Sequence, residues 1–146
     1  MKIYIGSDHA GYKYKEMLIG HLLEKGFEVE DVGANSEESV DYSDFGRTVG
    51  ERVGVEPGNY GVLVCGTGIG IGMAAGKVDG VRAATVHDEF TAEMAKKHNN
   101  ANVIAMGERI IDEEMAKKIV DAFFGSEFEG GRHARRVDKI TAIENE

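Results

Sequence analysis

The chain contains few or no residues of several types, and each absence excludes a class of protein or of structural feature. Its 146 residues include one cysteine, one proline and no tryptophan. A single cysteine cannot form an internal disulfide and leaves a free thiol, so we expect a reducing, cytoplasmic location. Near the N-terminus only Ile3–Ser7 is free of charge and histidine. That run is too short for a signal-peptide core, and no stretch approaches membrane-spanning length, so we expect no membrane association.

Basic residues are also scarce. The 17 Lys and Arg residues are outnumbered by 26 Asp and Glu residues, which gives a net charge of −9. Nucleic-acid backbones require a basic surface, so we expect no nucleic-acid partner, although a small anion in a local cationic pocket is compatible with this charge. The five histidines include no HExxH motif and no zinc-finger spacing with cysteine, so no metal site is predicted. A Walker A lysine and a nucleophile elbow are absent as well.

Short strands and amphipathic helices alternate along the chain. The predicted strands are Lys2–Gly6, Phe27–Val32, Tyr60–Val64, Val81–Val86 and Asn102–Met106. The predicted helices cover Gly11–Lys25, Tyr42–Val53, the glycine run to about Val78, Asp88 to about Asn99 and the segment after Asp112, and a short helical pattern surrounds Val137, Ile140 and Ile143. This alternation is typical of a parallel sheet covered on both faces. We therefore predict one α/β domain over residues 1–146, doubly wound and Rossmann-like, with five parallel strands in the order 2-1-3-4-5 and a C-terminal helical tail.

The predicted sheet also indicates where a ligand would bind. In open α/β sheets, ligands lie beyond the carboxyl ends of the strands, where the strand order reverses. With the first and third strands adjacent, the loop Ser7–Gly11 would face the loop Cys65–Gly70. One loop carries a carboxylate and an imidazole, and the other carries a thiol, a hydroxyl and a series of backbone N–H groups. These two loops are the predicted site.

The stretch "VLVCGTGIGIG" at Val62–Gly72 admits two interpretations. Gly70, Gly72 and Ala75 fit a permissive dinucleotide pattern, with Asp88 placed as a ribose-binding acid. That pattern normally follows the first strand, however, and Asp88 is equally explained as a helix N-cap. An anion or oxyanion site made of N–H groups at a helix N-terminus needs only this local geometry, so it is the favoured interpretation.

The candidate side chains near these loops each have a structural explanation as well. Cys65 could be an inert buried residue, but a thiol just before a helix N-terminus is also placed to act as a thiolate. Asp8 and His9 could form a capped turn. His98 follows the spacing of a core position, and Asn99 could simply end a helix.

A basic segment near the C-terminus has two explanations too. "GGRHARR" at residues 130–136 could be a solvated patch in an acidic protein. Arg132 and Arg136 are four residues apart at a helix start, so they would point the same way and could hold a phosphate. The joint presence of these features is what requires a functional explanation.

Five stretches distributed along the chain carry a combined signal: "GSDHAGY" at 6–12, "DYSDFG" at 41–46, "CGTGIGI" at 65–71, "KHNNANVIAMGER" at 97–109 and "EGGRHARRV" at 129–137. Together, and in this order, they resemble the family of B-type ribose-5-phosphate isomerases and galactose-6-phosphate isomerase subunits. The cysteine–glycine loop is shared across that family. The His98–Asn99 pair and the Gly-Gly-Arg-His tail are more typical of its ribose-phosphate branch.

The resemblance implies an aldose–ketose isomerase that interconverts D-ribose 5-phosphate and D-ribulose 5-phosphate through a cis-enediolate, without a cofactor. By position, Cys65 would be the base, Thr67 would move protons between the substrate oxygens, and His98 with Asp8 would open the furanose ring. The amides of Gly66, Gly68, Ile69 and Gly70 would stabilise the enediolate. The substrate contacts would come from His9, Arg109, Arg132 and Arg136 at the phosphate, from Asn99 at the sugar and from Tyr42 in the pocket wall.

The resemblance also implies a homodimer, or a tetramer made of dimers, with active sites shared between subunits. His98, Asn99 and Arg109 would come from the neighbour of the chain that supplies Cys65. Two positions depart from the pattern: Ser43 stands where relatives often have proline, which predicts a looser pocket wall, and Gly76 stands where they often have asparagine, with little expected effect. The alternatives are a 6-phosphohexose isomerase (allose or galactose 6-phosphate) and a non-catalytic dinucleotide- or phosphosugar-binding module.

Overall fold

Five parallel strands form the centre of the protein, whose computed structural model describes residues 1–146. The strands are β1 Ile3–Ser7, β2 Val29–Asp31, β3 Tyr60–Cys65, β4 Ala83–Thr85 and β5 Val103–Gly107. The helices are α1 Tyr12–Glu24, α2 Tyr42–Gly54, α3 Ile69–Gly76, α4 Glu89–Lys97, α5 Glu113–Phe124 and α6 Arg132–Ile143. The predicted α/β alternation is confirmed, and none of the helices combines the length and apolar character that crossing a bilayer requires.

The strand order is β2-β1-β3-β5-β4, so the predicted order 2-1-3-4-5 is wrong at one edge. β5 pairs with β3 along its whole length, from Gly61 opposite Val103 to Cys65 opposite Gly107. β4 pairs only with β5 and has three residues, all of them half-buried or exposed. All five residues of β5 are buried. A strand covered on both faces belongs inside a parallel sheet, which explains why β5 takes the inner position and β4 the edge.

Several predicted element boundaries also shift. β2 lies at the opposite edge of the sheet, as its alternating pattern predicted, but it is shorter than Phe27–Val32. α3 begins inside the glycine run, as predicted, and ends at Gly76 rather than near Val78. The tail contains a full helix of 12 residues, α6, which starts directly after Gly130 and Gly131, both with positive φ. The short tail helix predicted from the sequence was therefore too short.

Two apolar clusters lie on the two faces of the sheet. The larger cluster joins the strands to α1, α4 and α5, and the smaller one joins them to α2 and α3. Because side chains alternate along a strand, Val62 and Val64 of β3 belong to the larger cluster and Leu63 and Cys65 to the smaller one. The last residue of β3 therefore turns its thiol towards the face that carries α3.

Candidate active site

A cleft of ≈ 520 Å³ lies at the carboxyl ends of β1 and β3, where the fold predicts a ligand. β1 ends at Ser7, directly before Asp8, and β3 ends at Cys65. The cleft is lined by Asp8, His9, Ala10, Tyr42, Cys65, Gly66, Thr67, Ile69, Gly70, Met73 and Arg109. Ala10 lies within the predicted loop Ser7–Gly11, and Met73 is the one lining residue that the sequence analysis placed in neither loop nor among the site residues. The two predicted loops therefore do face each other.

Cys65 is held by the loop that follows it. Its side chain is buried, and its Sγ accepts a hydrogen bond from the Gly68 N–H at 3.1 Å. Gly68 has a φ of 81°, and a Cβ there would lie 2.8 Å from the Met106 carbonyl carbon, so the loop conformation requires glycine. α3 begins at the next residue, so the positive end of its dipole also faces the sulfur. The Cys65 sulfur is therefore held at the start of α3 by a hydrogen bond from its own loop.

The remaining N–H groups of the loop differ in what they contact. The Ile69 N–H donates to Thr67 Oγ1 at 3.2 Å, and the Gly68 N–H is taken by the sulfur. The N–H groups of Gly66, Thr67 and Gly70 have no acceptor within the chain. These three residues line the cleft, so their N–H groups are the donors available to a bound anion.

Asp8 and His9 are both tied to nearby backbone. Asp8 Oδ1 accepts hydrogen bonds from the N–H groups of Ala10 and Gly11, at 3.0 and 3.1 Å, so the capped turn foreseen as its structural explanation is present. His9 Nδ1 accepts a hydrogen bond from the Val40 N–H at 3.1 Å. That bond leaves Nε2 as the protonated nitrogen of the neutral imidazole. His9 can therefore donate a hydrogen bond into the cleft.

Tyr42 and Arg109 line the cleft near the two ends of the glycine loop, at Gly70 and Gly66. Tyr42 begins α2, and a Cβ on Gly70 would lie 2.4 Å from Tyr42 Cε1, so the ring covers that glycine closely. The Arg109 N–H donates to the Gly66 carbonyl at 3.0 Å, and its Nη1 lies 3.0 Å from where a Gly66 Cβ would stand. Arg109 thus lines the cleft of its own chain, whereas the resemblance implied that the neighbouring subunit supplies it.

A second group of predicted residues lies elsewhere on the chain. His98 caps the C-terminal end of α4, and its ring stacks on that of His133 with centroids 4.2 Å apart and planes 9° apart. Glu129 Oε1 lies 3.6 Å from Nε2 of each histidine. Partial burial and then the neighbouring His98 lower the pKa of His133. His133 and Glu129 were not predicted as site residues, although both lie within the quoted "EGGRHARRV" stretch and are four residues apart.

Neither His98, Asn99, Arg132 nor Arg136 lines the cleft that contains Cys65. Arg132 and Arg136 lie on α6 with His133, whose ring stacks on that of His98, so they belong to this second group. Asn99 lines a different cleft of ≈ 410 Å³, together with Arg82 and Ile140. None of the chain's salt bridges involves Arg109, Arg132 or Arg136, so these three guanidinium groups carry no internal counter-charge. One chain therefore brings together the thiol and the glycine loop, but not the imidazole of His98.

Comparison with known proteins identifies the family. Residues 3–140 match the family described as Ribose/Galactose Isomerase. The chain belongs to this family. Among its members, ribose-5-phosphate isomerase B of Escherichia coli K12 is 44% identical over 98% of this chain and 96% of its own length. The match to the ribose/galactose isomerase family therefore extends over residues 3–140 of the chain.

Solved structures of the family share the fold. Ribose-5-phosphate isomerase B from Mycoplasma genitalium, solved with bound ribulose-5-phosphate, superposes with a TM-score of 0.96 at 45% identity, covering 99% of this chain and 97% of that one. The Clostridium thermocellum ribose-5-phosphate isomerase B gives 0.95 at 48% identity, covering 99% and 98%. The resemblance inferred from the five sequence stretches is thus confirmed for the ribose/galactose isomerase family.

Proposed function

We propose that this enzyme interconverts D-ribose 5-phosphate and D-ribulose 5-phosphate through a cis-enediolate. The observation that carries the proposal is the pairing of Cys65 Sγ with the Gly68 N–H, beside further N–H groups that have no partner. A base and an oxyanion site are the two groups that proton transfer next to a carbonyl requires. The relative from M. genitalium, which binds ribulose-5-phosphate, supports the same substrate.

The proton transfer follows from the position of the sulfur. The Cys65 thiolate removes the proton from C2 of the open-chain aldose, and the resulting thiol returns that proton to C1 of the enediolate. The negative charge that develops on the substrate oxygens is stabilised by the free N–H groups of Gly66, Thr67 and Gly70; one such donor contributes about 3–4 kcal/mol in acyl-transfer sites. The Thr67 hydroxyl, exposed at the same loop, moves protons between O1 and O2.

The substrate phosphate and the furanose ring require the second group of residues. His98, with Asp8, opens the ring, and Asn99 contacts the sugar. Arg109, Arg132 and Arg136 hold the phosphate, supported by the Nε2–H of His9. The absence of internal salt bridges to these three arginines favours this role, because an unpaired guanidinium is free to bind a phosphate bidentately.

The separation of the two groups supports a shared active site between subunits. A second copy of the chain would bring His98, Asn99, Arg132 and Arg136 to the cleft that holds Cys65. Large apolar side chains are exposed on the chain, including Met73 at 68%, Phe90 at 66% and Ile143 at 64%. Aromatic residues and methionine are enriched at subunit interfaces, so these side chains are candidates for burial between two copies of the chain. We propose a homodimer, or a tetramer built from such dimers.

The arginine pair on α6 gives a test of phosphate binding. We expect Arg132→Ala and Arg136→Ala each to raise KM for ribose 5-phosphate about 10- to 100-fold, the loss of a charge-assisted hydrogen bond, with a smaller change in kcat. Steady-state kinetics measure both constants. The matched control is Arg47→Ala, an exposed arginine on α2 whose partner is Glu51, and it should leave KM unchanged. An unchanged KM in both α6 variants would remove these residues from the phosphate site.

The family description covers galactose as well as ribose, so a 6-phosphohexose is the second candidate substrate. We expect kcat/KM for ribose 5-phosphate to exceed that for allose 6-phosphate and galactose 6-phosphate by at least about tenfold, the effect of one poorly accommodated carbon unit. A preference for either hexose would reassign the substrate within the same chemistry.

In the dinucleotide alternative, Asp88 would be the acid that binds the ribose. Asp88 Oδ1 accepts the Thr91 N–H at 2.7 Å in a capping box at the start of α4, so its structural explanation accounts for it. The Gly68 N–H is likewise taken by the Cys65 sulfur. Calorimetric titration with NAD should therefore show no binding.

A further inference from the structure

We propose that His98, Glu129 and His133 form a binding site for a divalent transition-metal ion of the zinc type, and that an ion bound there inhibits the enzyme. The three side chains offer two imidazole nitrogens and one carboxylate, and their ligand atoms all lie within 4.8 Å of one another. Imidazole and carboxylate in this ratio are common ligands of Zn²⁺ with one open position. The spacing of the histidines in the sequence did not predict this site, because His98 lies at the end of α4 and His133 lies on α6.

The distances favour a metal over a hydrogen-bonded cluster. Glu129 Oε1 lies 3.6 Å from Nε2 of His98 and 3.6 Å from Nε2 of His133. Both separations are too long for hydrogen bonds. In a tetrahedral zinc site with bonds of about 2.0–2.1 Å, neighbouring ligand atoms are about 3.4 Å apart. The carboxylate oxygen is therefore already near the correct distance from each nitrogen.

The backbone holds the three ligands in register. The Glu129 N–H donates to the carbonyl of Lys97, the residue before His98, at 3.0 Å. The His133 N–H donates to the Gly130 carbonyl at 3.0 Å, and His133 lies in the first turn of α6. These bonds fix the backbone of Glu129 between the end of α4 and the start of α6. Metal binding then requires movement of side chains only.

The required movement is small and falls on the exposed ligands. A metal ion lies close to the plane of each imidazole that binds it, whereas the two rings are stacked with their planes 9° apart. One ring must therefore rotate. The His98 side chain is 39% exposed and that of Glu129 is 50% exposed, while that of His133 is 11% exposed. His98 and Glu129 are free to turn towards the ion, and His133 is the fixed ligand.

Inhibition follows from the identity of one ligand. His98 is the group assigned to furanose ring opening, and that consequence rests on the proposed function. A metal on its Nε2 removes the lone pair and holds the ring in place. Metal binding itself does not depend on the proposed function, so it is measured directly.

The binding test uses Co²⁺ as a spectroscopic probe in the full chain carrying Cys65→Ala, so that the active-site thiol contributes no ligand. Tetrahedral or five-coordinate Co²⁺ absorbs visible light much more strongly than the hexa-aquo ion does, so binding is seen as an increase in absorption. We expect a stoichiometry of one ion per chain. Adding Glu129→Gln or His133→Gln should weaken Co²⁺ binding roughly 10- to 100-fold, at least the effect of losing an outer-shell partner. His87→Gln, which removes an exposed histidine outside the cluster, should have no effect.

Two results would overturn the site. One is Co²⁺ binding that Glu129→Gln and His133→Gln leave unchanged, and the other is no bound Co²⁺ at millimolar concentration. Glu129→Gln replaces a half-exposed side chain with one of the same shape, so misfolding does not confuse the comparison. In the enzyme with Cys65 intact, Zn²⁺ should inhibit at a concentration that Glu129→Gln raises at least about tenfold. Equal inhibition of both enzymes would assign it to the thiol and contradict inhibition through His98.

Discussion

Replacing Cys65 with alanine is expected to lower kcat for isomerisation by about 10²- to 10⁴-fold, the contribution of a well-placed general base. The sulfur is the group that the Gly68 N–H and the start of α3 hold at the carboxyl end of β3. Asp8, the other acidic group in the cleft, has Oδ1 engaged by the N–H groups of Ala10 and Gly11, so it is poorly placed to take over. The N–H groups of the glycine loop remain in the variant, so sugar phosphate should still bind.

Two measurements separate the base from the binding site. Exchange of the C2 proton with deuterium from solvent should stop in Cys65→Ala, because the enediolate no longer forms. Calorimetric binding of ribose 5-phosphate should change little. Cys65→Ser is the matched control: it keeps a polar side chain of similar size, but its hydroxyl is far too weak an acid to provide the base, so it should be as inactive as alanine. Turnover near wild type in either variant would rule out the thiol as the base.

A mixture of two inactive variants is expected to regain activity if the site is shared. Cys65→Ala and His98→Ala should each be almost inactive alone. In a heterodimer of the two, one site carries both substitutions, and the other contains an intact Cys65 from one chain and an intact His98 from its partner. Random mixing of an isologous dimer makes half of the dimers heterodimeric, so roughly a quarter of wild-type turnover should return.

The complementation is measured by unfolding the two variants together, refolding them and assaying kcat against equal amounts refolded separately. Cys65→Ala mixed with Thr67→Ala is the control, because both substitutions fall on the same loop and the same chain's cleft. In that heterodimer each of the two sites carries one substitution, so turnover should stay low. Absence of recovery in the first mixture would place His98 in the site of its own chain or outside the site.

The sequence predicted the parts of the fold that depend on local pattern. The alternation of β-branched strands with amphipathic helices marked every element, and Asp88 and Asp112 marked the starts of α4 and α5 correctly. The order of the strands across the sheet depends on where each connecting segment returns the chain to the sheet. The hydrophobic periodicity of a strand or helix carries no information about that position. One signal was available: Val103–Gly107 is apolar throughout, whereas β4 is preceded by Arg82 and ends in a threonine. That contrast favours β5 as the inner strand.

The site was predictable where its residues follow a strand end. Asp8, His9, Cys65 and Thr67 come directly after β1 and β3, and parallel strands end at one edge, so their proximity follows from the fold class. The partners of individual atoms were not predictable. The glycine loop divides its N–H groups between the sulfur, the Thr67 hydroxyl and the open cleft, and only the backbone path decides that division. The stacking of His98 on His133 joins helices that periodicity treats as independent.

The inner position of β5 has a consequence for how the protein is made. β5 is translated after β4, yet it lies between β4 and β3, so the sheet cannot be completed in the order of synthesis. The backbone support of the thiol loop comes from that late segment: the Glu108 N–H donates to the Cys65 carbonyl at 2.9 Å, and the Arg109 N–H donates to the Gly66 carbonyl. In a nascent chain that has not yet reached Val103, the edge of β3 that pairs with β5 is therefore unpaired. The loop after Cys65 also lacks the two hydrogen bonds from Glu108 and Arg109. Long-range strand insertion of this kind delays folding. The cysteine is consequently buried and oriented late, and until then its thiol is not covered by the folded chain.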